Sequence, residues 1–93
     1  MFIQIFLIDD LEQVLIKDEK FVKQFGERVR QLRLEKDMSQ EDLANTAEIP
    51  INQVGRIERG EINTTLVTIK AIADSLKINV VELFSENPIS NNQ

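Results

Sequence analysis

Residues 39–60 are the stretch of the sequence that most constrains the fold, because they predict a short helix, a tight turn and a second short helix. Ser39 can cap the first helix with its hydroxyl, and Asp42 three residues later completes a capping box. Pro50 suits the opening of the second helix, where its missing N–H would have no partner. Two helices this short cannot enclose a core, so the flanking segments must supply one.

The second of these helices has two unlike faces. Val54 and Ile57, three residues apart, face inward, whereas the opposite face is mostly polar or basic. That outer face carries Ile51, Asn52, Gly55, Arg56 and Arg59. Two interpretations are open: an ordinary pair of surface helices in an all-α domain, or a helix-turn-helix whose second helix enters the major groove of DNA.

The composition excludes several kinds of site. The chain has 93 residues, enough for one domain, and it contains no cysteine and no histidine. The chain therefore cannot form disulfides, bind zinc through thiolates or imidazoles, or use a nucleophile that histidine activates. The 16 acidic residues show no paired acid–base arrangement, and no glycine-rich phosphate loop is present. We expect no enzymatic activity, no cofactor and a cytoplasmic location.

The net charge of −5 is distributed unevenly along the chain. Residues 1–19 carry −4, residues 20–84 are neutral with ten basic and ten acidic residues, and Glu86 adds −1. The acidity therefore lies mostly outside residues 39–60. A neutral core can still bind DNA if its basic residues cluster on one face, and a dimer would offset the weak non-specific attraction.

Residues 1–18 form an N-terminal extension of the predicted unit. Residues 1–8 are β-branched and aromatic-rich, which suggests a short strand or buried arm, and Asp9 could cap a following amphipathic helix. These residues lack a basic start and are too short to cross a membrane, so we expect no membrane segment. An exposed apolar arm would aggregate, so it should pack on its own domain or on a second copy. A start codon assigned too far upstream, leaving a disordered arm, is the alternative.

Three further helices are predicted around residues 39–60. Asp18 is placed to cap a helix over 19–36, whose apolar face is Phe25, Val29 and Leu32. Gly60 is a natural left-handed stop, and Thr65 can cap a helix over 65–76. The core face of that helix is predicted to be Leu66, Ile69, Ile72, Ala73 and Leu76. Asn79 and Glu82 form another capping box, which opens a last helix with Val80, Val81, Leu83 and Phe84.

With these pieces in order, the sequence resembles the Cro/repressor-type, or Xre-like, helix-turn-helix family. The matching segments are 25–33, 39–44, 57–60, 66–76 and 81–84. The resemblance implies a compact five-helix, lambda-repressor-like DNA-binding domain. Its boundaries would be 19–84, with the extension before it and a flexible tail over 85–93.

The resemblance also implies a function. The third helix, about 50–58, would read the major groove of double-stranded DNA, with a homodimer bound to a palindromic operator. The protein would be a transcriptional regulator, most simply a repressor. Three roles remain open: a phage-type repressor, a toxin-neutralising partner and a restriction–modification controller. A different class is a protein-interaction module that heterodimerises with another regulator, with residues 1–18 as a possible partner surface.

The family's DNA-binding positions can be carried over residue by residue. They fall on Ser39, Gln40, Ile51, Asn52, Gln53, Arg56, Arg59 and Asn63. By the resemblance, Ile51, Asn52 and Arg56 read bases. Gln40 touches the DNA backbone or an outer base, whereas Arg59 and Asn63 lie along phosphates. Arg33 and Glu58 match a structural ion pair between the first and third helices.

Side-chain chemistry agrees with these base-reading roles. Arg56 can donate two hydrogen bonds to guanine, Asn52 can pair bidentately with adenine, and Ile51 can lie against a thymine methyl. The alternatives are a solvated charge for Arg56 and a helix-start residue that bonds the backbone for Asn52. Two positions depart from the family pattern. Glu48 occupies a turn position that often holds glycine, and Gly55 inside the recognition helix costs about 0.5–1 kcal/mol relative to alanine.

Overall fold

The computed structural model describes residues 18–85, which form four α-helices and one 3₁₀ helix and contain no strand. The helices are α1 at Glu19–Glu35, α2 at Gln40–Ala47, α3 at Ile51–Glu58, α4 at Leu66–Leu76 and the 3₁₀ helix at Val80–Phe84. The predicted all-α, lambda-repressor-like fold is confirmed. The predictions of an apolar arm, a helix after Asp9 and a tail after position 85 fall on residues 1–17 and 86–93, outside the described part of the chain.

Three helices begin at the polar residues that the sequence predicted as caps. The side chains of Asp18 and Thr65 accept hydrogen bonds from the backbone N–H three residues later, at 3.0 and 3.1 Å. At the start of α2, Ser39 and Asp42 each accept from the other's backbone N–H at 2.9 Å, which is the predicted capping box. These contacts satisfy donors that the first turn of a helix leaves unpaired.

The connections between helices rely on left-handed backbone. Gly60 has a φ of 71° and Glu48 a φ of 60°, the conformations expected from their positions in the turns. Asp37 and Lys77 also adopt positive φ values, of 56° and 58°, which the sequence did not indicate. A residue with a Cβ is disfavoured in this region by about 1–2 kcal/mol. The turns therefore store strain that the packed helices must offset.

The core lies where the helices meet, with α2 packed against α3 and α4, and α1 packed against α3 and the 3₁₀ helix. Its buried side chains are Phe25, Val29, Leu32, Leu43, Ala44, Val54, Ile57, Ile72, Ala73, Leu76 and Leu83. Met38, Ile49, Ile62, Ile69 and Ile78 pack at its edge. The long helices α1 and α4 thus supply the core that α2 and α3 are too short to build.

One prediction about exposure is wrong. Leu66 was expected on the core face of α4 but is 79% exposed, because it is the first residue of the helix and lies beyond the packed turns. Gly55 lies on the outer face of α3, but a side chain covers it and it is buried. The guanidinium of Arg59 lies over it, with Nη1 only 3.0 Å from the point where a Cβ would stand.

The last element also differs from the predicted helix, since Val80–Phe84 forms a single 3₁₀ turn. The adjacent β-branched residues Val80 and Val81 lower helix propensity, and 3₁₀ geometry suits segments this short. The side chain of Glu82 still accepts a hydrogen bond from the Asn79 backbone N–H at 3.1 Å. Only Leu83 of this turn is buried, while Val81 is 68% exposed.

The closest approach of α1 and α3 occurs at Gly26. A Cβ at this position would lie 2.7 Å from the carbonyl oxygen of Glu58 and closer still to that of Ile57. Real Cβ atoms do not tolerate such distances, so only glycine allows the two backbones to touch. This contact fixes the C-terminal end of α3 against the longest helix of the domain.

Candidate nucleic-acid interface

A buried ion pair connects α1 to α3 beneath the predicted recognition surface. Arg33 Nε donates to Glu58 Oε2 at 2.6 Å, and Arg33 Nη2 donates to Glu58 Oε1 at 3.0 Å. The remaining Nη1 donates to the Met38 carbonyl oxygen at 2.7 Å. The hydrogen bond from Glu58 raises the pKa of Arg33 above its ordinary value, so the guanidinium remains charged. Each guanidinium nitrogen therefore has a partner, as a buried charge requires.

The same carboxylate also holds the first residue of α2. Gln40 Nε2 donates to Glu58 Oε1 at 3.0 Å, so Glu58 joins side chains from α1 and α2 to α3. The Gln40 amide is half-buried and oriented by this bond, while its own oxygen can still accept. Gln40 thus makes a structural contact with Glu58, and the DNA contact expected of it stays a prediction.

Ser39 and Asp42 form the exposed start of α2. The Ser39 hydroxyl oxygen accepts the capping bond from the Asp42 N–H, and its O–H can donate either to the Asp42 carboxylate or to a ligand. Hydrogen bonds from Ser39, first from its backbone N–H, lower the pKa of the Asp42 carboxyl. The capping box therefore presents a hydroxyl donor at the edge of the α3 surface.

The outward face of α3 carries all three of the predicted base-reading residues. Ile51 is 47% exposed, Asn52 and Arg56 are exposed, and Gln53 is half-buried. The helix begins after Pro50 without a side-chain cap. Within residues 18–85, the Asn52 side chain makes no hydrogen bond, so the alternative of a backbone-bonding helix-start residue is not observed. Its amide is free to pair with a base edge.

The C-terminal end of α3 carries a second, exposed charge cluster. Arg59 Nε donates to Glu61 Oε2 at 2.7 Å, and Arg56 Nε lies 3.8 Å from Glu61 Oε1. Hydrogen bonding to Arg59 lowers the pKa of Glu61, and the same contact raises the pKa of Arg59. The structure thus joins two predicted DNA-binding arginines through one carboxylate.

Glu61 was missed in the sequence because Asn63 alone was assigned a role among the residues between Gly60 and Thr65. One signal could have identified it. A glycine two residues after the end of a helix predicts a Schellman turn, in which the next residue folds back toward the last turn of the helix. That next residue is Glu61, and the residue it meets is Arg56.

Asn63 lies apart from the α3 face. It is exposed and lines a shallow groove with Lys23, Glu61 and residues at the start of α1. The predicted set is therefore divided between the start of α2, the outer face of α3 and this loop. Among residues 18–85 there is no group of three or more acidic side chains that could hold a metal ion, and no helix is long and apolar enough to cross a membrane.

Comparison with known proteins agrees with the fold. A helix-turn-helix family profile matches residues 29–83. The HTH-type transcriptional regulator DdrOP3 of Deinococcus deserti is 35% identical over 57 residues, which are 61% of this chain and 44% of that protein. The chain therefore spans less than half of that relative. The control protein C.SmaI of Serratia marcescens is 34% identical over 68 residues, 73% of this chain and 81% of that protein.

Solved structures of restriction–modification controllers are also similar. C.AhdI from Aeromonas hydrophila has a TM-score of 0.67 and 43% identity, with 68% of this chain and 96% of that chain covered. The C.Esp1396I tetramer in complex with its natural 35-base-pair operator has a TM-score of 0.65 and 30% identity, covering 69% of this chain and 84% of that one. Both similarities extend over about two thirds of this chain.

Proposed function

Because the chain belongs to the helix-turn-helix family, we propose that it is a sequence-specific transcriptional regulator, most simply a repressor, that binds double-stranded DNA in the cytoplasm. The observation that carries this proposal is the outward face of α3. There Asn52 and Arg56 are exposed on a helix whose opposite side is fixed to α1 by a buried ion pair and a backbone contact. A rigid helix with exposed side chains that can form bidentate hydrogen bonds is what major-groove readout needs.

The proposed contacts follow from side-chain chemistry. Arg56 donates to guanine O6 and N7, Asn52 pairs with adenine N6 and N7, and Ile51 lies against a thymine methyl. The Ser39 hydroxyl and Arg59 bind phosphates on either side of the groove. Gln40, Gln53 and Asn63 complete the proposed DNA-binding set.

We propose that the protein acts as a homodimer on a palindromic operator. Residues 20–84 carry no net charge, so one domain attracts phosphates weakly and two linked domains bind more tightly. Leu66 and Val67 at the start of α4 are each 79% exposed, which is unusual for neighbouring apolar residues and suits a dimer contact. Half-sites would then lie about 34 Å apart, one turn of the double helix.

Among possible regulators, a restriction–modification controller is the role best supported. The chain covers 96% of C.AhdI at 43% identity and 81% of C.SmaI at 34% identity, whereas it covers only 44% of the Deinococcus regulator. The part of the chain that matches these controllers therefore corresponds to most of their length. The genes beside its own would then encode a restriction enzyme and a methyltransferase.

Binding-site selection from random duplex DNA tests the proposal directly. We expect an enriched palindrome, with affinity falling as salt is raised because phosphate contacts release counterions. Arg56→Ala should cost about 1–3 kcal/mol at one operator position and relax base preference there. Arg30→Ala is the matched control, since it removes an exposed positive charge from α1. Tight binding to a protein partner without any affinity for DNA would instead support the interaction-module alternative.

A further inference from the structure

We propose that Glu61 is an internal competitor of DNA phosphate, which occupies Arg59 and restrains Arg56 in the free protein and is displaced when DNA binds. This inference rests on the proposed function, because it concerns how strongly the α3 arginines bind DNA. Glu61 itself belongs to none of the residue positions that the resemblance assigns to DNA binding.

The position of Glu61 is set by the backbone that ends α3. The Glu61 N–H donates to the Arg56 carbonyl oxygen at 2.9 Å, and the Gly60 N–H donates to the Ile57 carbonyl oxygen at 3.0 Å. With Gly60 at a φ of 71°, these bonds form a Schellman motif. In most Schellman motifs, the two residues that correspond to Glu61 and Arg56 are apolar and contact each other. Here an ion pair replaces that apolar contact.

The carboxylate occupies the edge of Arg59 that a phosphate would use. Arg59 directs Nε and Nη2 to the two oxygens of Glu61, at 2.7 and 3.4 Å. Carboxylates and phosphates accept from this same pair of donors, so one arginine edge cannot satisfy both. The guanidinium also lies back over Gly55 instead of extending from the helix. In this arrangement Arg59 lies along the surface of α3, with its Nε and Nη2 directed to Glu61.

The competition can be relieved because the cluster is exposed. The side chains of Arg59 and Glu61 are 59% and 47% accessible, so water and salt screen their attraction. Phosphates bring several negative charges to the same place and repel the carboxylate at the same time. DNA can therefore displace Glu61, but the affinity it achieves is lower than if the arginine were free. Because the contact involves phosphate, the reduction applies to every DNA sequence.

The test compares Glu61→Gln with Glu27→Gln on a random-sequence duplex and on the selected operator. Both changes remove one negative charge, and Glu27 is exposed on α1 without a cationic partner among residues 18–85. For Glu61→Gln we expect roughly fivefold tighter binding to both duplexes at low salt. This factor corresponds to the loss of one attraction between two unit charges at close range in water. The advantage of Glu61→Gln over the wild type should shrink as salt is raised, because salt screens the Arg59–Glu61 attraction that the change removes. Glu27→Gln should match the wild type.

A second comparison, in a protein that carries Arg59→Gln, distinguishes competition for Arg59 from general repulsion between Glu61 and DNA. In Arg59→Gln protein, the added Glu61→Gln change should give little further gain, because the donor that Glu61 occupied is absent. Equal or weaker binding by Glu61→Gln, or an equal gain from Glu27→Gln, would overturn the inference while leaving the proposed function intact. If neither the wild type nor Glu61→Gln bound either duplex at any salt concentration, both the inference and the proposed function would be rejected.

Discussion

Replacement of one partner of the Arg33–Glu58 pair should strongly destabilise the domain. The two residues are 6% and 5% exposed, so either single change leaves an uncompensated buried charge. Such a loss costs about 3–5 kcal/mol, or roughly 12–40 °C in melting temperature for a domain of this size. We expect this cost for both Arg33→Met and Glu58→Leu. The double variant should lose far less than the sum of the two single changes. Its main costs are about 1–3 kcal/mol for the Met38 carbonyl, which loses its donor, and a smaller loss for the half-buried Gln40 amide, which loses its acceptor.

Urea unfolding followed by far-ultraviolet circular dichroism measures these free energies, with an osmolyte added if a single variant is too unstable to give a folded baseline. The matched control is the exposed pair Lys70–Asp74, joined at 2.8 Å on α4. Lys70→Met, Asp74→Leu and their double variant should show a coupling of about 0.5 kcal/mol or less. If the coupling free energy between the Arg33 and Glu58 changes were no larger than that of the Lys70–Asp74 control, burial would not make this pair interdependent and the reasoning would be refuted.

Three further changes test local features. Gly26→Ala should destabilise the domain by about 1–3 kcal/mol or more in thermal unfolding, because its Cβ would meet the α3 backbone; an unchanged melting temperature would contradict the contact. Glu48→Gly should add about 0.5–1 kcal/mol by relieving left-handed strain, whereas Glu48→Ala should not. Ser39→Ala should cost about 0.5–2 kcal/mol at neutral pH. Because folding lowers the pKa of Asp42, the stabilisation from its cap contacts is complete above the ordinary carboxyl pKa of about 4. This stabilisation disappears as the pH falls through the lower folded value. Ser39→Ala keeps the backbone bond to Asp42 and loses only the part that comes from the hydroxyl, so its deficit measured by urea unfolding should be smaller near pH 2 than at pH 7.

Features that depend on a few consecutive residues could be predicted from the sequence. The caps at Asp18, Ser39 and Thr65 are hydrogen bonds across three residues, and the structure has each of them. The left-handed backbone at Glu48 and Gly60 likewise follows from the place of each residue at a helix end. The periodicity of apolar residues also predicted which side chains of α1 are buried, because the pattern and the buried face belong to the same helix.

Features that depend on contacts between elements could not be predicted with the same certainty. The exposure of Leu66 depends on how far the packed part of α4 extends, and helical spacing alone cannot give that limit. Gly55 is covered by Arg59, a side chain that could equally have extended into solvent. The role of Gly26 becomes evident only when α1 and α3 are placed together. The two arginines were identified individually, but their shared carboxylate depends on the direction in which the chain leaves α3.

The backbone contact at Gly26 has a consequence for the thermodynamics of recognition. An isolated helix of eight residues, the length of α3, would be largely unfolded in water. In this domain its conformational entropy is already lost on folding, because the α1 backbone, the core and a buried ion pair each restrain it. DNA association then has no helix to order, and the heat-capacity change should reflect only the surface buried at the interface. A recognition segment that folded on binding would show a much larger negative value.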